Sequence, residues 1–157
     1  MQRFFLPELQ PAVDEVVSLT PIHKQLRHVL RVLPGAQIVI LDNQGAERLM
    51  EVLTNERLDT TARVVEMRQA LAEPTVAATL YQCILKADKF DWVLQKATEL
   101  GVSTLVPVIS NRTVARPSKA LDAKQARWNT IVREAAEQSG RGGLPVFHQR
   151  TKYALRS

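Results

Sequence analysis

One stretch decides the fold of the second half of the chain: Lys86-Ala-Asp-Lys-Phe-Asp-Trp-Val-Leu-Gln-Lys-Ala-Thr-Glu-Leu-Gly101. Its apolar residues recur at the spacing of an amphipathic helix, and they are Phe90, Val93, Leu94, Ala97 and Leu100. Gly101 is typical of the position just after a helix C-terminus, because glycine adopts the left-handed conformation needed there. The stretch therefore predicts a helix over residues 88–100.

Strand-like runs flank this helix. Val76–Leu85 is mostly apolar, which is typical of a strand buried on both faces, and Thr104–Ile109 is similar. Ser118–Ser139 then predicts a second helix, which ends at Gly140, and Leu144–Phe147 is a possible third strand. Strands that alternate with helices in this way predict a parallel α/β sheet with right-handed crossovers.

The first half of the chain is predicted to be rich in β-structure. Short strand-like runs recur, and the turn Asp42–Gly45 between two of them indicates a hairpin. The predicted strands are Arg3–Leu6, Gln37–Leu41, Glu47–Leu53 and Thr60–Met67. Ile22–Val32 predicts one helix, which stops at Pro34-Gly35. This pattern predicts a small closed or partly closed β-barrel.

The composition changes around Leu71-Ala-Glu-Pro74, which we interpret as a linker. The predicted organisation is thus an α+β chain of two domains: residues 1–70 form a β-barrel, residues 71–74 join the domains, and residues 75–157 form an α/β sheet. Two helices and two or three strands make an incomplete open sheet, because so few elements cannot cover both of its faces.

Charge and composition limit the classes of function. Residues 1–72 carry 8 Lys and Arg against 9 Asp and Glu, whereas residues 73–157 carry 13 against 7. The chain has 14 Arg against 7 Lys, and Arg binds phosphate in a bidentate manner. A basic second half therefore favours a nucleic-acid partner; an ordinary solvated basic surface is the alternative. With one cysteine, Cys83, and scattered histidines, we expect a buried structural thiol and no metal site. No apolar run is long enough for a membrane span or signal peptide, so we expect a cytoplasmic protein without membrane contact.

Cationic side chains supply the first candidate binding residues. Lys86 and Lys89 follow the first strand of the α/β half and Arg112 follows the second, and ligands of open α/β sheets collect at such strand ends. Asp88 beside them suits a helix N-cap. In the first half, Arg3, Arg27 and Arg31 form a basic stripe suited to RNA backbone contact. A solvated surface remains the alternative for the lysines and for the stripe.

Each predicted helix also carries a row of polar side chains. Trp92, Gln95, Lys96 and Glu99 share one side of the first helix, and Glu134, Gln138 and Arg141 share one side of the second. Such a row is unusual for a solvated face and marks a candidate site. The competing interpretation is a purely structural ion-pair network between the helices, formed by Lys96, Glu99, Glu134 and Arg141.

At these residues the chain resembles a known family. The stretches Gln95-Lys-Ala-Thr-Glu-Leu-Gly-Val102 and Glu134-Ala-Ala-Glu-Gln-Ser-Gly-Arg141, with Lys86-Ala-Asp-Lys89, are similar to those of the bacterial RNA methyltransferases that modify N3 of a uridine in small-subunit ribosomal RNA, the RsmE type. The resemblance covers nearly the whole chain. It implies a PUA-like β-barrel that binds RNA, and a SPOUT domain whose C-terminal trefoil knot binds S-adenosylmethionine and forms a homodimer.

Family sequences continue past the position of Ser157 through a glycine-rich donor loop. We therefore expect the 157 residues to lack the knot and the donor pocket, and to contain no cofactor-binding residue. On this interpretation residues 75–157 are the first part of a SPOUT domain.

The resemblance implies methylation that depends on S-adenosylmethionine, with ribosomal RNA of the small subunit as partner. The uridine N3 must lose a proton before it attacks the methyl carbon, and cations stabilise the developing anion. Arg112 and Arg141 are the candidate catalytic cations, either for this stabilisation or for contact with the target phosphate. We expect them to be oriented by Gln95, Lys96, Glu99, Glu134 and Gln138, and RNA to be bound by Arg3, Arg27, Arg31, Lys86 and Lys89. The alternatives are an RNA-binding module without catalysis and an inactive truncated product with an exposed sheet edge.

Overall fold

The computed structural model describes residues 1–70, 73–86, 88–109, 119–148 and 151–152, without the side chains of 119–123 and 151–152. The chain divides into two compact units, Met1–Leu71 and Ala72–Ser157.

The first unit is built on one five-stranded sheet. Its strands are β1 (Gln2–Phe5), β2 (Val16–Ser18), β3 (Gln37–Leu41), β4 (Ala46–Asn55) and β5 (Thr60–Gln69). They lie in the order β1-β3-β4-β5-β2, with β1 parallel to β3 and the other pairs antiparallel. The predicted hairpin joins β3 to β4, and its turn is held by Asp42 Oδ1, which accepts the N–H groups of Gln44 and Ala46.

Alternate residues of these strands form the core of the first unit, as the two-residue period of a strand requires. Phe4, Ile38, Ile40, Met50 and Val64 are all at most 3% exposed and belong to one apolar cluster. Within the described residues β1 and β2 form the two edges of the sheet, and no strand pairing joins them. The closed form of the predicted barrel is therefore not seen.

The prediction of one continuous helix over Ile22–Val32 is wrong. The segment contains a 3₁₀ turn at Thr20–Ile22 and a π-helical turn at Gln25–Val29. Leu26 is buried, but Val29 and Leu33, which a continuous helix would bury beside it, are each 73% exposed. Arg31 adopts a positive φ of 50°, which ends the helical turn before Pro34.

The second unit contains the predicted parallel sheet. β6 (Thr79–Cys83) and β8 (Val146–Phe147) both pair in parallel with β7 (Thr104–Ile109), and β9 (Thr151–Lys152) pairs with β7 further along. The parallel sheet and the possible third strand are confirmed. β6, however, is an edge strand among the described residues and alternates between exposed and half-buried positions. The expectation of a strand buried on both faces, with Cys83 as a buried thiol, is wrong because Cys83 is exposed.

Two helices cover one face of this sheet, α1 (Asp88–Glu99) and α2 (Lys119–Ser139). The rings of Phe90 and Trp128 meet at a centroid distance of 4.8 Å, and Leu94 and Val132 are buried in the same cluster. Each such buried side chain contributes about 1.5–3 kcal/mol to folding. The predicted apolar stripe of α1 is confirmed except at Leu100, which is 84% exposed.

Gly101 ends α1 in the predicted way. Its φ is +88°, and the N–H groups of Gly101 and Val102 bond to the carbonyls of Thr98 and Ala97. This is the hydrogen-bond pattern of a Schellman cap. A Cβ added to Gly101 would lie 2.5 Å from Pro74 Cγ, so Pro74 packs against this cap within the second unit.

Candidate functional site

Helices α1 and α2 leave a groove of about 340 Å³ between them. It is lined by Asp88, Asp91, Trp92, Gln95, Arg127, Ile131, Glu134, Ala135 and Gln138. We call this the α1–α2 groove. The structure thus brings together much of the polar row that the sequence singles out, namely Trp92 and Gln95 from α1 with Glu134 and Gln138 from α2.

Asp91 joins the two helices at the groove. Its Oδ2 accepts hydrogen bonds from Arg127 Nε at 2.9 Å and Nη2 at 2.8 Å, and its Oδ1 accepts one from Trp128 Nε1 at 3.1 Å. Trp128 is 3% exposed, so this bond satisfies a buried donor. Asp91 was not predicted as a site residue, because an acidic residue in the first turn of a helix usually reflects only the helix dipole.

The described lining of the groove is negatively charged. The Arg127 guanidinium is paired with Asp91, whereas exposed Asp88 and Glu134 have no hydrogen-bond or ion-pair partner among the residues that the structure describes. These carboxylates repel phosphate, so the groove does not suit an RNA backbone. Trp92, which is 61% exposed, adds an aromatic surface to it.

The competing interpretation, an ion-pair network between the helices, is contradicted by the pairs that these residues form. Lys96 Nζ bonds to Glu99 Oε2 at 2.7 Å, and this pair lies within α1. Both residues line a shallow depression beside the groove, together with Gln95, Gln138 and Ser139. Such a half-exposed pair contributes little to stability.

Arg141 lies at the centre of a buried polar cluster rather than at an open site. It is 3% exposed, and its Nη1 donates to the carbonyls of Val102 at 2.7 Å and Thr98 at 3.3 Å. Its Nε and Nη2 donate to the two oxygens of Glu73 at 3.3 and 3.0 Å. The guanidinium therefore satisfies carbonyls at the C-terminus of α1, the negative end of the helix dipole. The prediction that Arg141 reaches out as a catalytic cation is contradicted by this burial.

Glu73 completes the cluster and was predicted to be part of a linker. Its Oε1 also accepts the backbone N–H of Gly143 at 3.0 Å. Partial burial alone would raise the pKa of the Glu73 carboxyl, but the hydrogen bonds from Arg141 and Gly143 outweigh it and lower the pKa below its ordinary value of 4.5. Glu73 thus links the start of the second unit to its glycine-rich segment 140–143.

The other predicted cations of the second unit are less closely held. Lys86 and Lys89 are exposed near the carboxyl end of β6, and their contact with a ligand stays a prediction. Arg112 lies outside the described residues, so its position and its role stay predictions.

The first unit presents a cationic surface at one end of its sheet. The 3₁₀ and π-helical turns contact the β4–β5 turn there: Arg27 Nη1 donates to the carbonyl of Asn55, and His23 Nε2 lies 3.2 Å from the carbonyl of Arg57. We call this surface the basic edge and define it by Lys24, Arg27, Arg31 and Arg57. Exposed apolar side chains lie along the same segments, and they are Val29, Leu33 and Leu58. Cations beside exposed apolar groups suit the phosphates and unstacked bases of RNA.

Arg3 does not belong to this edge. It pairs with Glu47, which is buried and also binds Arg68. Burial alone would raise the pKa of Glu47, but hydrogen bonds from Arg68 and Arg3 outweigh it and lower the pKa. Arg3 therefore neutralises a buried carboxylate, and this pairing leaves fewer of its N–H groups free to bind RNA.

Along the described part of the chain, no group of three or more His, Cys, Asp and Glu side chains could hold a metal ion. None of its helices is both long enough and apolar enough to span a membrane.

Comparison with known proteins gives consistent results. A family model described as an RNA methyltransferase domain matches residues 72–154. Among curated proteins, the chain is 28% identical over 149 residues to "Ribosomal RNA small subunit methyltransferase E" of Bacillus subtilis, with 92% of this chain and 58% of that protein covered. It is 32% identical over 134 residues to the protein of the same name from Synechocystis, with 85% and 43% covered. The chain thus spans about half the length of these relatives.

Solved structures share the fold. The structure of ribosomal RNA small subunit methyltransferase E from Neisseria gonorrhoeae, bound to S-adenosyl methionine, matches with a TM-score of 0.85 and 34% identity. The match covers 96% of this chain and 62% of that one. A putative methyltransferase from Legionella pneumophila also has a TM-score of 0.85, at 24% identity, and supports the fold alone. The mixed α/β character of the predicted fold is confirmed by these matches.

Proposed function

The chain belongs to the RNA methyltransferase domain family, and from that premise we propose that it takes part in the methylation of small-subunit ribosomal RNA with S-adenosylmethionine as methyl donor. The observation that carries the proposal is the match to the Neisseria structure, which extends over 96% of this chain. Following the resemblance, the proposed target atom is N3 of a uridine.

We assign RNA binding first to the unit of residues 1–71, as a PUA-like module. Its basic edge supports this assignment, because Arg31, Arg57 and Lys24 are exposed there beside exposed Leu58 and Val29. Contacts to phosphate give affinity, and apolar contacts to bases splayed out of a helix add to it. On the second unit, which we take as part of a SPOUT domain, Lys86 and Lys89 are separate proposed contacts to RNA.

The described lining of the α1–α2 groove offers no free cation for the carboxylate of the methyl donor, since Arg127 is paired with Asp91. We therefore place the donor outside the described residues. When bound, it supplies the methyl group for displacement at carbon by the uridine nitrogen.

The described residues support positioning rather than bond making. The proposed tasks of the basic edge, Lys86 and Lys89 are to bind the RNA backbone and present the uridine; Arg112 stays the candidate for stabilising its N3 anion. We assign Arg141 no contact with RNA, since its guanidinium is buried and bonded to Glu73 and to two backbone carbonyls.

The binding part of this proposal can be tested with the chain itself. Fluorescence anisotropy with labelled fragments of small-subunit ribosomal RNA is expected to give an affinity that falls steeply with salt. Substituting Arg31→Gln and Arg57→Gln together should weaken binding by roughly tenfold at low salt and reduce the salt slope by about 2.

The matched control is Arg63→Gln, which removes a cation of the same unit that pairs with Glu51. Binding that falls equally in the control and in the double variant would contradict the assignment of RNA contact to the basic edge. Binding that is unaffected by either change would do the same.

A further inference from the structure

The α1–α2 groove is an acidic, partly aromatic surface on a chain whose net charge is +5. In its described lining, the carboxylates of Asp88 and Glu134 have no hydrogen-bond or ion-pair partner among the described residues. The lining also contains the amide groups of Gln95 and Gln138 and the exposed ring of Trp92. RNA phosphate is disfavoured by the carboxylates, so the proposed RNA contacts do not account for this surface.

From this charge and shape we infer that the α1–α2 groove binds a lysine- or arginine-rich extended segment of a partner protein. The inference does not rest on the proposed methylation, because it uses only the lining of the groove. A cationic side chain placed over the face of Trp92 gains a cation–π interaction, and its neighbours along the segment can pair with Asp88 and Glu134. The amides of Gln95 and Gln138 can bond to the backbone of an extended peptide, since each carries both donors and an acceptor.

The groove has a fixed frame on which such a segment can bind. Asp91 holds α1 and α2 together through Arg127 and Trp128, and the Phe90–Trp128 ring contact lies behind it. Binding therefore requires little rearrangement of the two helices, which reduces its entropic cost. The cavity volume of about 340 Å³ accommodates one or two side chains rather than a folded domain.

The test uses the whole chain and a labelled ten-residue peptide of alternating Lys and Arg, with a peptide of alternating Glu and Lys as the neutral comparison. Fluorescence anisotropy should show binding of the basic peptide only. The double variant Asp88→Asn with Glu134→Gln should weaken that binding by roughly fivefold, and Trp92→Ala by a similar factor.

The matched control is Glu66→Gln, which removes an exposed carboxylate from the first unit. Circular dichroism checks that all variants stay folded. The inference is supported if the groove variants lose affinity and the Glu66 control does not. It is overturned if the control and the groove variants behave alike, if the double variant loses affinity for RNA instead, or if sedimentation shows that the groove variants disrupt self-association, which would make a second copy of the chain the occupant.

Discussion

Arg141 and Glu73 are 68 positions apart, and their side chains form a paired contact in which both oxygens of Glu73 accept N–H groups of one guanidinium. The same guanidinium donates to two carbonyls at the end of α1. One buried side chain thereby connects the start of the second unit, the end of α1 and the glycine-rich segment that follows α2. The contact explains why an arginine follows Gly140 without invoking catalysis.

Replacing Arg141 should therefore destabilise the second unit. Arg141→Met leaves the Glu73 carboxylate and the two carbonyls without their donor, and we expect a loss of about 2–4 kcal/mol in the free energy of unfolding. Urea denaturation followed by tryptophan fluorescence measures it, because both tryptophans, Trp92 and Trp128, lie in this unit.

Arg133→Met on α2 is the matched control, since Arg133 is exposed, and it should change the free energy of unfolding by less than about 0.5 kcal/mol. Equal stabilities of the Arg141 variant and the wild type would refute the structural role of Arg141.

The stability of the second unit should depend on pH through Glu73. Its pKa is lower in the folded chain than its ordinary value of 4.5, so the folded state favours the charged carboxylate. Its contribution is complete above pH 4.5 and is lost as the pH falls toward the lower folded pKa. Measured from pH 7 down to pH 3, the free energy of unfolding of the wild type should fall more steeply than that of Glu73→Gln. Parallel curves would show that Glu73 does not cause this pH dependence of the free energy of unfolding.

The cap at Gly101 predicts a steric effect that can be separated from backbone strain. Gly101→Ala forces a Cβ to within 2.5 Å of Pro74 Cγ and also places alanine at a φ of +88°. We expect a loss of about 2–3 kcal/mol, of which about 1 kcal/mol comes from the backbone conformation. Adding Pro74→Ala removes the clashing ring atom, so the double variant should recover part of the stability that Gly101→Ala alone loses. A double variant no more stable than Gly101→Ala would rule out the clash with Pro74.

Asp91 provides a further test of how the groove is built. Asp91→Leu removes the acceptor of the buried Trp128 N–H, and we expect a cost of about 1–2 kcal/mol. Asp91→Asn keeps an acceptor oxygen and should cost about half as much. Arg127→Gln, which affects only a largely exposed partner, should cost less than about 0.5 kcal/mol. Trp128 fluorescence in urea titrations distinguishes these values, and an Arg127 variant as unstable as the leucine variant would assign the stability to the ion pair instead.

Much of the fold follows from local patterns in the sequence. The stripe around Phe90 and Leu94, the glycine at 101 and the hairpin turn at Asp42 each depend on residues that are neighbours in sequence, and all three are present in the structure. The helix predicted over Ile22–Val32 fails because Leu26 is anchored in the core of the sheet while Val29 is not. That choice is made by tertiary packing, which periodicity alone does not contain.

Less of the candidate site than of the fold could be predicted from the sequence. The sequence predicts that Gln95 lies in the polar row of the first helix and Gln138 in that of the second. The structure places both side chains in the lining of the same groove. The partners of Arg141 and Asp91 are 68 and 36 positions away, and no local pattern signals such pairs. The acidic character of the groove likewise appears only once Asp88 and Glu134 come together from two helices, within a region whose net charge is positive.

We propose that this chain takes part in the methylation of uridine N3 in small-subunit ribosomal RNA. Mass spectrometry tests this with that RNA from cells in which the gene encoding the chain is disrupted, and from the same cells with the gene restored. N3-methyluridine should disappear from one position on disruption and return on restoration. An unchanged amount of N3-methyluridine in the disrupted cells would contradict it.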